Sequence, residues 1–448
     1  MRIVKNLFII ILLTSSLYSF GVRDGSFEFY LDNDNDAKYD YNFYQYLKIN
    51  FDILPYEKIR IFFSIGNKLQ PFKDEDSIKV LLWSANLTYY FKNDIYIGIG
   101  DRFINYSPYT IHLEEWNDNV FKGLFFHYES QRYNVDFDGF VGLHSEETNR
   151  IKYNGEYLRT DAGFINKYYI DRIQTESPTI WGGFKLKKIW NDFFDTELIY
   201  VRENYSLERP VTDFISYYFF NNDIFQLACD FEYKKKIFLN LMPAIMNKSF
   251  IKYNGAGDFY GEGRHKLQKD YERSVVEKAG EARLVIHDLY DFYLLNGKFS
   301  FMYRYIEEEF NPVHMDNGRL AEGRGENFLD DLLVGEKGFI INAEIPLLES
   351  HFWGVEFQEY NHIRNDKKYL DKRYYIKQNF TEDFNLLFML RSQQGYLDEH
   401  GMINDLQGLV IRLDGKLMRY FNLQLWFVEH MSYQKNNNEI LLKGVLKF

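Results

Sequence analysis

Charged residues placed two positions apart are the part of this sequence best suited to chemistry. Asp136 and Asp138 form one such pair, and Asp195 and Glu197 form another. Because alternate residues of a β-strand lie on the same face, each pair would present two carboxylates on one side of a sheet. Unpaired charges are strongly disfavoured away from water. The pairs therefore predict a wetted sheet face that can attract polar or ionic solutes.

Signatures of catalysis are not found in the sequence. His144, Ser145 and Glu146 are adjacent, but no nucleophile-elbow pattern surrounds the serine. His112 is followed by a pair of glutamates, and one histidine beside two carboxylates in a polar stretch is typical of ordinary surface. The sequence has neither a glycine-rich phosphate loop nor cysteine and histidine residues at metal-site spacing. We therefore predict that the protein is not an enzyme, holds no metal and needs no cofactor.

The composition combines a strongly aromatic character with a hydrophilic one. Aromatic residues make up 19% of the 448 residues, with 37 Tyr and 42 Phe, yet 26% are charged and the mean hydropathy is −0.41. Alternating strands can separate these characters onto two faces, and the presence of only 8 Pro suits long strands. The net charge of −12 argues against a nucleic-acid partner, and the single Cys229 excludes an intramolecular disulfide.

Segments of period two occur in pairs that are joined by short connections. In the clearest pair, Ile49, Phe51 and Ile53 alternate with Asn50 and Asp52. Nine such hairpins, with one strand before them and one after them, predict about twenty strands, and eighteen is the next choice. The hairpins are Asn42–Ile53 with Lys58–Ile65, Val80–Phe91 with Ile95–Arg102, Val120–Glu129 with Tyr133–Leu143, Thr179–Lys187 with Phe193–Arg202, Ile224–Tyr233 with Lys236–Ile245, Glu281–Asp288 with Gly297–Ile306, Gly338–Ile345 with Phe352–Tyr360, Arg373–Phe380 with Phe384–Arg391, and Gln407–Leu413 with Tyr420–His430.

The N-terminal residues predict export. Arg2 and Lys5 form a short positively charged region, the apolar run Leu7–Leu13 follows it, and the small and polar stretch Thr14–Ser19 comes next. This order is typical of a secretory signal peptide, and the apolar run is shorter than the roughly 20 residues that a spanning helix needs. We therefore divide the chain into a signal peptide, residues 1–19, and one domain, residues 20–448.

The last strand carries a family resemblance. Gly444, Leu446 and Phe448 lie on one face of it, and the sequence ends on the aromatic residue. A C-terminal strand ending in Phe resembles the assembly signal of bacterial outer-membrane β-barrel proteins. The resemblance implies an all-β fold, a single closed antiparallel transmembrane β-barrel with short periplasmic turns and long extracellular loops. It also implies outer-membrane lipid and the barrel-assembly machinery as partners. A soluble secreted β-sandwich or propeller is the alternative fold.

An internal segment carries a second resemblance. Gly100–Arg102 ends one predicted strand and Phe121–Gly123 begins another, with an acidic, aromatic connection between them. The surrounding segment Ile97–Gly142 resembles the corresponding stretch of large porin-like and polysaccharide-export barrels. That resemblance implies the passage of a small hydrophilic solute or a charged saccharide.

A barrel of roughly 16 or more strands encloses a water-filled channel, and the polar strand faces would line it. We predict an outer-membrane channel for small hydrophilic or charged solutes. The alternative is a surface-exposed structural or adhesin barrel whose long loops bind a partner. Acidic residues would lie on one wall and basic residues on the opposite wall, which would produce a transverse field. The predicted pore-lining residues are Lys48, Asp52, Lys58, Arg60, Asp136, Asp138, Asp195, Glu197, Asp230, Glu232, Arg283, Arg304, Glu344, Glu356, Lys377, Arg391 and Arg412.

The long connection Asn247–Gly280 is predicted to contain a helix. Within His265–Ala279, an apolar edge is formed by Leu267, Tyr271 and Val275, which recur at intervals of four residues. This connection would either fold into the channel as a constriction or remain on the surface.

Overall fold

The structure is a computed structural model, and it describes most of the chain. The described residues are 22–33, 41–69, 79–92, 94–102, 104–107, 109–110, 121–143, 153–159, 165–170, 180–211, 214–256, 268–287, 297–307, 310, 336–348, 350–363, 368–381, 383–397, 403–418, 421–430 and 438–447. The predicted signal peptide, residues 1–19, and Phe448 lie outside these ranges. No helix with the length and apolarity needed to cross a membrane is found within them.

Within the described ranges, the regular elements are all strands, numbered β1 to β22 in chain order. They are β1 Val22–Asn33, β2 Tyr41–Tyr56, β3 Ile59–Leu69, β4 Lys79–Lys92, β5 Ile95–Arg102, β6 Phe121–Ser130, β7 Val135–Leu143, β8 Tyr153–Arg159, β9 Ile165–Ile170, β10 Ile180–Asn191, β11 Phe194–Val211, β12 Phe214–Tyr233, β13 Ile237–Ala256, β14 Gln268–His287, β15 Lys298–Ile306, β16 Glu336–Leu348, β17 His351–His362, β18 Lys368–Thr381, β19 Phe384–Leu397, β20 Ile403–Met418, β21 Phe421–His430 and β22 Asn438–Lys447. The predicted all-β class is confirmed.

Twenty of these strands form one antiparallel sheet, and β8 pairs with β9 in a separate hairpin. Neighbours in the large sheet follow the chain, except that β7 pairs with β10. β1 pairs with β2 on one side and with β22 on the other, from Ser26 opposite Lys447 to Asn33 opposite Ile440. The nine predicted hairpins are all found as neighbouring strand pairs, from β2 with β3 to β20 with β21.

The large sheet has two chemically different faces. On β4, Leu87, Tyr89 and Phe91 are exposed, whereas Thr88 between them is buried. On β12, Phe225 and Leu227 are exposed, and the residues that alternate with them are buried. We call the face with exposed apolar side chains the outer face and the opposite one the inner face. This separation follows from the period-two pattern of the sequence, because successive side chains of a strand point to opposite sides.

Aromatic rings cover glycines on the inner face. A Cβ atom on Gly98 would lie 2.0 Å from the ring of Phe125, its cross-strand partner, and one on Gly354 would lie 2.0 Å from the ring of Tyr375. Each ring therefore occupies the space of the missing side chain and lies close against the backbone. This arrangement fills the inner face without a protruding side chain and helps to fix the strand register.

The predicted helix at His265–Ala279 is wrong. Residues 268–287 form β14, which pairs with β13 along most of its length, and residues 257–267 lie outside the described chain. The spacing of Tyr271 and Val275 by four residues therefore does not reflect a helix. Hydrogen bonds to a long partner strand outweigh a helix preference of a few tenths of a kcal/mol per residue. A helix from this connection therefore does not constrict the channel within residues 268–279.

The turn between β12 and β13 offers a test of local backbone strain. Lys234 and Lys235 have φ angles of 53° and 57°, and the amide of Lys236 donates to the carbonyl of Tyr233. Two consecutive left-handed residues define a type I′ turn, which favours Asn-Gly over lysine. We expect Lys235→Gly to raise the free energy of unfolding by about 0.5–1 kcal/mol, because glycine adopts this conformation without a Cβ clash. Urea unfolding of the refolded protein in detergent would measure the change.

Lys236→Gly is the matched control for this prediction, because Lys236 follows the two left-handed positions in the same turn. Glycine at Lys236 should leave stability unchanged or lower it slightly, since it only adds freedom to the unfolded chain. Equal effects of the two substitutions would contradict the proposed strain at Lys235.

Candidate solute-binding face

A segment that follows β5 lies against the inner face. Of its described residues, Ile104, Ser107, Tyr109 and Thr110 are buried, although they belong to no strand of the large sheet. We call the described residues 104–107 and 109–110 the inner segment. A surface connection would expose such residues, so their burial shows that the segment folds onto the sheet.

The inner segment spans several neighbouring strands. Near its start, the ring of Tyr106 packs edge-on against Phe140 of β7 at 5.6 Å, and the ammonium of Lys185 on β10 lies 5.7 Å from the same ring. Further along, the hydroxyl of Ser107 donates to the side-chain oxygen of Gln226 on β12. In sheet order, these contacts cross β7, β10, β11 and β12.

Tyr109 anchors the far end of the inner segment to β14. Its side chain is fully buried, and its hydroxyl donates to Glu281 Oε2 at 3.1 Å. The same oxygen accepts from Arg304 Nη2 of β15, also at 3.1 Å. Burial raises the pKa of Tyr109 well above its ordinary value, so the hydroxyl keeps its proton and remains a donor. The segment is thus attached to a buried ion pair.

The turn inside the segment is fixed by Ser107. The amide of Thr110 donates to the carbonyl of Ser107 at 3.1 Å, and the amide of Tyr109 donates to its hydroxyl at the same distance. The Ser107 hydroxyl thus accepts from a backbone amide that would bond to a neighbouring strand if this segment were part of the sheet. The local turn therefore orients Tyr109 toward Glu281.

A second group of charges lies on β17, β18 and β19. Asp371 accepts from Arg373 Nη2 at 2.9 Å and from Arg391 Nη2 at 2.6 Å, and the side chains of Asp371 and Arg391 are 0% exposed. Arg373 also contacts Glu356 Oε1 at 3.2 Å. Glu356 accepts further from Asn342 Nδ2 of β16 at 2.9 Å. Two arginines thus share one carboxylate inside a continuous hydrogen-bonded network.

A third group lies on β5, β6 and β7. His127 Nδ1 lies 3.0 Å from Asp138 Oδ1 and 3.5 Å from Asp136 Oδ1. Arg102 Nη2 lies 3.5 Å from Asp138 Oδ1, and the ring of Tyr96 stacks on His127 with centroids 4.7 Å apart. This group holds a histidine and two carboxylates at ligand-like separations.

The neighbouring strands β10 and β11 carry a fourth group. Lys187 Nζ lies 3.0 Å from Asp195 Oδ2 and 3.3 Å from Glu197 Oε1, and all three side chains are partly exposed. On β12, Asp230 accepts from the side-chain amide of Asn240 on β13. Asp195, Glu197 and Asp230, which were predicted to lie on an acidic wall, therefore each contact a lysine or an asparagine.

The structure places most of the predicted pore-lining residues at inner-face positions. The strand alternation puts them on the side opposite the exposed apolar residues; these residues are Asp52, Arg60, Asp136, Asp138, Asp195, Glu197, Asp230, Glu232, Arg283, Arg304, Glu344, Glu356, Lys377, Arg391 and Arg412. Lys48 lies on β2, and its side chain is outside the described set. Lys58 lies in the turn before β3 and is exposed, so its assignment to a strand wall is wrong by one residue.

The predicted separation of charge into an acidic and a basic wall is not supported by the described residues. Arg304 pairs with Glu281, Arg412 pairs with Asp414 at 2.8 Å, and Arg60 donates to Asp52. Charges of opposite sign at contact distance cancel over a few ångströms. The inner face therefore presents local pairs of both signs rather than a single transverse field.

Several charges on the inner face were missed in the sequence. Glu281, Asp371 and Arg373 are buried there, and His127 and Lys187 complete the other groups. Glu281 lies two positions from Arg283, and Asp371 and Arg373 lie six and four positions from Lys377, so the period-two pattern of β14 and β18 would have found them. His127 and Lys187 had no such signal, because no residue of β6 or β10 was assigned to the inner face. The contacts of the inner segment had no such signal, because no local spacing links residue 109 to residue 281.

The inner face can bind solutes through paired charges and amide groups. Buried arginines that already have a carboxylate partner remain donors for a further acceptor, since a guanidinium carries five N–H groups. Arg304 Nη1, for example, is buried without a hydrogen-bond partner. The arrangement suits reversible binding of polar molecules.

The comparisons with known proteins give structural likenesses only. No family model and no curated protein matches the chain. Among solved structures, OccK8 (OprE) of Pseudomonas aeruginosa is 8% identical, with 95% of this chain and 97% of that chain covered and a TM-score of 0.48. OccAB2 of Acinetobacter baumannii is 10% identical, with 95% and 97% covered and a TM-score of 0.45. The ferric-catecholate import receptor Fiu of E. coli K12 is 8% identical, with 95% and 82% covered and a TM-score of 0.43.

All three TM-scores are below 0.5, so the class of the protein rests on the features of its own sheet. The chain is an all-β protein built around one antiparallel sheet, with an apolar outer face and a charged inner face crossed by an ordered segment. Of these features, the all-β antiparallel fold is the one that the resemblance to outer-membrane β-barrel proteins implies.

Proposed function

We propose that the chain is a closed β-barrel of the bacterial outer membrane and that it conducts small hydrophilic or charged solutes. The observation that carries the proposal is the opposite character of the two faces of one sheet. Exposed leucine, isoleucine and aromatic side chains cover the outer face, and charged residues lie on the inner face. Lipid solvates the first kind of face and water the second.

The strand pairings support closure of the barrel. β1 pairs with both β2 and β22, so the first and last strands have neighbours on both sides. Closure leaves no unpaired strand edge in lipid, where unsatisfied backbone groups are costly. The twenty strands of the sheet exceed the roughly 16 strands at which a barrel encloses an aqueous channel. An even number places both termini on one side, which we assign to the periplasm.

The inner segment and the charged groups define the proposed solute path. The segment narrows the channel beside β7 to β14, and the Asp371 network lines the wall at β17 to β19. Because both signs of charge are present in close pairs, the path favours polar or zwitterionic solutes over simple ions of one sign. The predicted pore-lining residues belong to this path as part of the proposal.

Export and assembly follow from the same proposal. Residues 1–19 act as a cleaved signal peptide that directs the chain through the inner membrane. The last strand, with Gly444, Leu446 and the terminal Phe448, is the segment that the barrel-assembly machinery recognises. Gly444 and Leu446 lie on β22, beside β1.

Conductance measurements test the channel. We expect detergent-purified protein to produce reproducible single-channel steps in planar lipid bilayers, because a water-filled path crosses the barrel. The unboiled sample should migrate faster on a gel than the boiled one, which would show that the barrel is folded. Folded protein that inserts into lipid but carries no current would overturn the proposed function.

A binding role for the extracellular side is the second candidate function. β12, β13 and β14 each contain 20 residues, about twice the 9–11 that cross a bilayer. The excess would project beyond the membrane as an extended sheet on which a partner could bind. A variant with residues 205–219 and 249–273 replaced by short turns should keep its conductance if the channel is the main function, and lose partner adhesion if the extension has that role.

A further inference from the structure

The group at His127, Asp136 and Asp138 has the composition of a metal site. One ligand atom from each of the three residues lies within 4.8 Å of the other two. Imidazole nitrogen and carboxylate oxygen are ligands that zinc and other first-row divalent ions accept. The sequence predicted no metal because His127 and the two aspartates lie in separate strands, and cross-strand pairing brings His127 opposite Asp138.

The separations fit a single small ion. His127 Nδ1 lies 3.0 Å from Asp138 Oδ1 and 3.5 Å from Asp136 Oδ1. Ligands held at zinc distances of about 2.0–2.2 Å in a tetrahedron are about 3.4 Å apart. The two distances to His127 bracket this value, and the two carboxylate oxygens lie within 4.8 Å of each other. An ion bound by the three atoms would draw the carboxylates together and would leave a fourth position for water.

The lysines nearest to Asp136 and Asp138 are engaged with other groups. Lys187 and Lys185 lie directly opposite the two aspartates on β10. The ammonium of Lys187 instead contacts Asp195 and that of Lys185 lies over Tyr106. Neither lysine contact therefore neutralises the pair.

Asp136 supplies a second and independent observation. Its Oδ1 atom is buried and has no hydrogen-bond partner, although the side chain as a whole is 37% exposed. Buried carboxylate oxygens are normally hydrogen-bonded, so this atom has an unused capacity to accept a ligand. It points toward His127 Nδ1, the one nitrogen that lies within 4 Å of it in the described contacts.

Tyr96 and Arg102 are the neighbours that orient the His127 imidazole and offset part of the negative charge of the aspartates. Tyr96 stacks on His127 and fixes the plane of its ring. Arg102 is not a ligand, but its Nη2 lies 3.5 Å from Asp138 Oδ1, so its positive charge offsets part of the negative charge of that carboxylate. Its guanidinium also lies 4.9 Å from the ring centre of Phe125. The three ligands with neutral histidine and this arginine carry about one net negative charge, which still favours a divalent cation.

We propose that His127, Asp136 and Asp138 bind one divalent transition-metal ion, of which Zn²⁺ is the probe, on the inner face near the turn 131–134. The site goes beyond the proposed channel function, because binding to the purified protein does not require conduction. A bound ion would join β6 to β7 and place a positive charge on the wall of the solute path.

Zinc binding to the full-length protein in detergent tests the proposal. After treatment with a chelator, the protein is titrated with Zn²⁺ against a chromophoric competitor, and the bound metal is counted by elemental analysis. We expect one tight site per chain. His127→Gln and Asp136→Asn should each weaken it at least about 10-fold, a loss that even outer-shell changes produce at metal sites.

His351→Gln is the matched control. His351 is the first residue of β17 and also lies near a short turn, but its Nδ1 contacts the hydroxyl of Ser350 rather than a carboxylate. This variant should bind zinc as the unaltered protein does. Heat-modifiable migration shows that each variant is folded. Zinc affinity that is unchanged by His127→Gln, or absent from the unaltered protein, would overturn the site, whereas a silent channel that still binds zinc would overturn only the proposed function.

Discussion

Replacing Tyr109 with phenylalanine is expected to release the inner segment and to increase the frequency of high-conductance events. The buried hydroxyl donates to Glu281, which is held by Arg304. A hydrogen bond to a charged acceptor contributes about 1.5–3 kcal/mol. Its loss would shift the equilibrium between attached and detached segment by about 10- to 150-fold. Glu281 keeps its arginine partner, so the strand wall itself should remain intact.

Tyr106→Phe is the control for this experiment. Tyr106 belongs to the same inner segment and contacts Phe140 and Lys185 through its ring, which phenylalanine retains. Single-channel recordings of the two variants should therefore differ, with frequent openings in Tyr109→Phe and unaltered traces in Tyr106→Phe. Identical records for both variants would show that the Tyr109 hydroxyl does not hold the segment.

The hairpins could be predicted from the sequence because their signals are local. The alternation of Ile49, Phe51 and Ile53 with Asn50 and Asp52 specifies both a strand and its apolar face. Short turns then join neighbours, so antiparallel order follows from the chain. The same reasoning gave inner-face positions for nearly all of the predicted charges.

The inner segment could not be predicted because its contacts are distant in sequence. Ser107 and Gln226 are 119 residues apart, and Tyr109 and Glu281 are 172 apart. No spacing rule relates them, because these contacts form only in the folded sheet. The helix predicted at 265–279 failed for a related reason. Pairing of β14 with β13 is a tertiary effect that a local period does not contain.

The pairing of charges was also hidden from the sequence. Acidic and basic residues were grouped by their position along the chain, which suggested two walls of opposite sign. In the sheet, partners come from the same strand two residues away, as for Asp371 and Arg373, or from a neighbouring strand, as for Arg391. Partial burial explains the preference, since an unpaired charge away from water is costly. Local neutralisation is therefore the outcome of desolvation.

Substitution of Asp371 is expected to have the largest effect on stability. Asp371→Asn would leave Arg391 and Arg373 without the carboxylate that they share. The side chains of Asp371 and Arg391 are both 0% exposed, so water cannot replace the lost charge. Breaking a buried ion pair by removing one partner costs about 3–5 kcal/mol. Glu356 contacts Arg373 and should limit the cost for that arginine.

Asp414→Asn is the matched control, because Asp414 pairs with Arg412 on the same face while both side chains are about a quarter exposed, at 26% and 25%. Water can solvate the remaining charge there, so the expected loss is about 0–1 kcal/mol. Urea unfolding of the refolded proteins in lipid vesicles would give both values. Equal losses for the two variants would mean that water reaches Arg391 as readily as Arg412.

A double substitution separates the cost of the lost pair from the cost of the charge left behind. Asp371→Asn combined with Arg391→Met removes both members of the buried Asp371–Arg391 ion pair. Apolar replacement of a whole buried pair is often neutral or stabilising. We therefore expect the double variant to recover much of the stability that Asp371→Asn loses, and a double-mutant cycle gives the coupling energy. Recovery would show that the paired charges of Asp371 and Arg391 are not needed for the stability of the sheet.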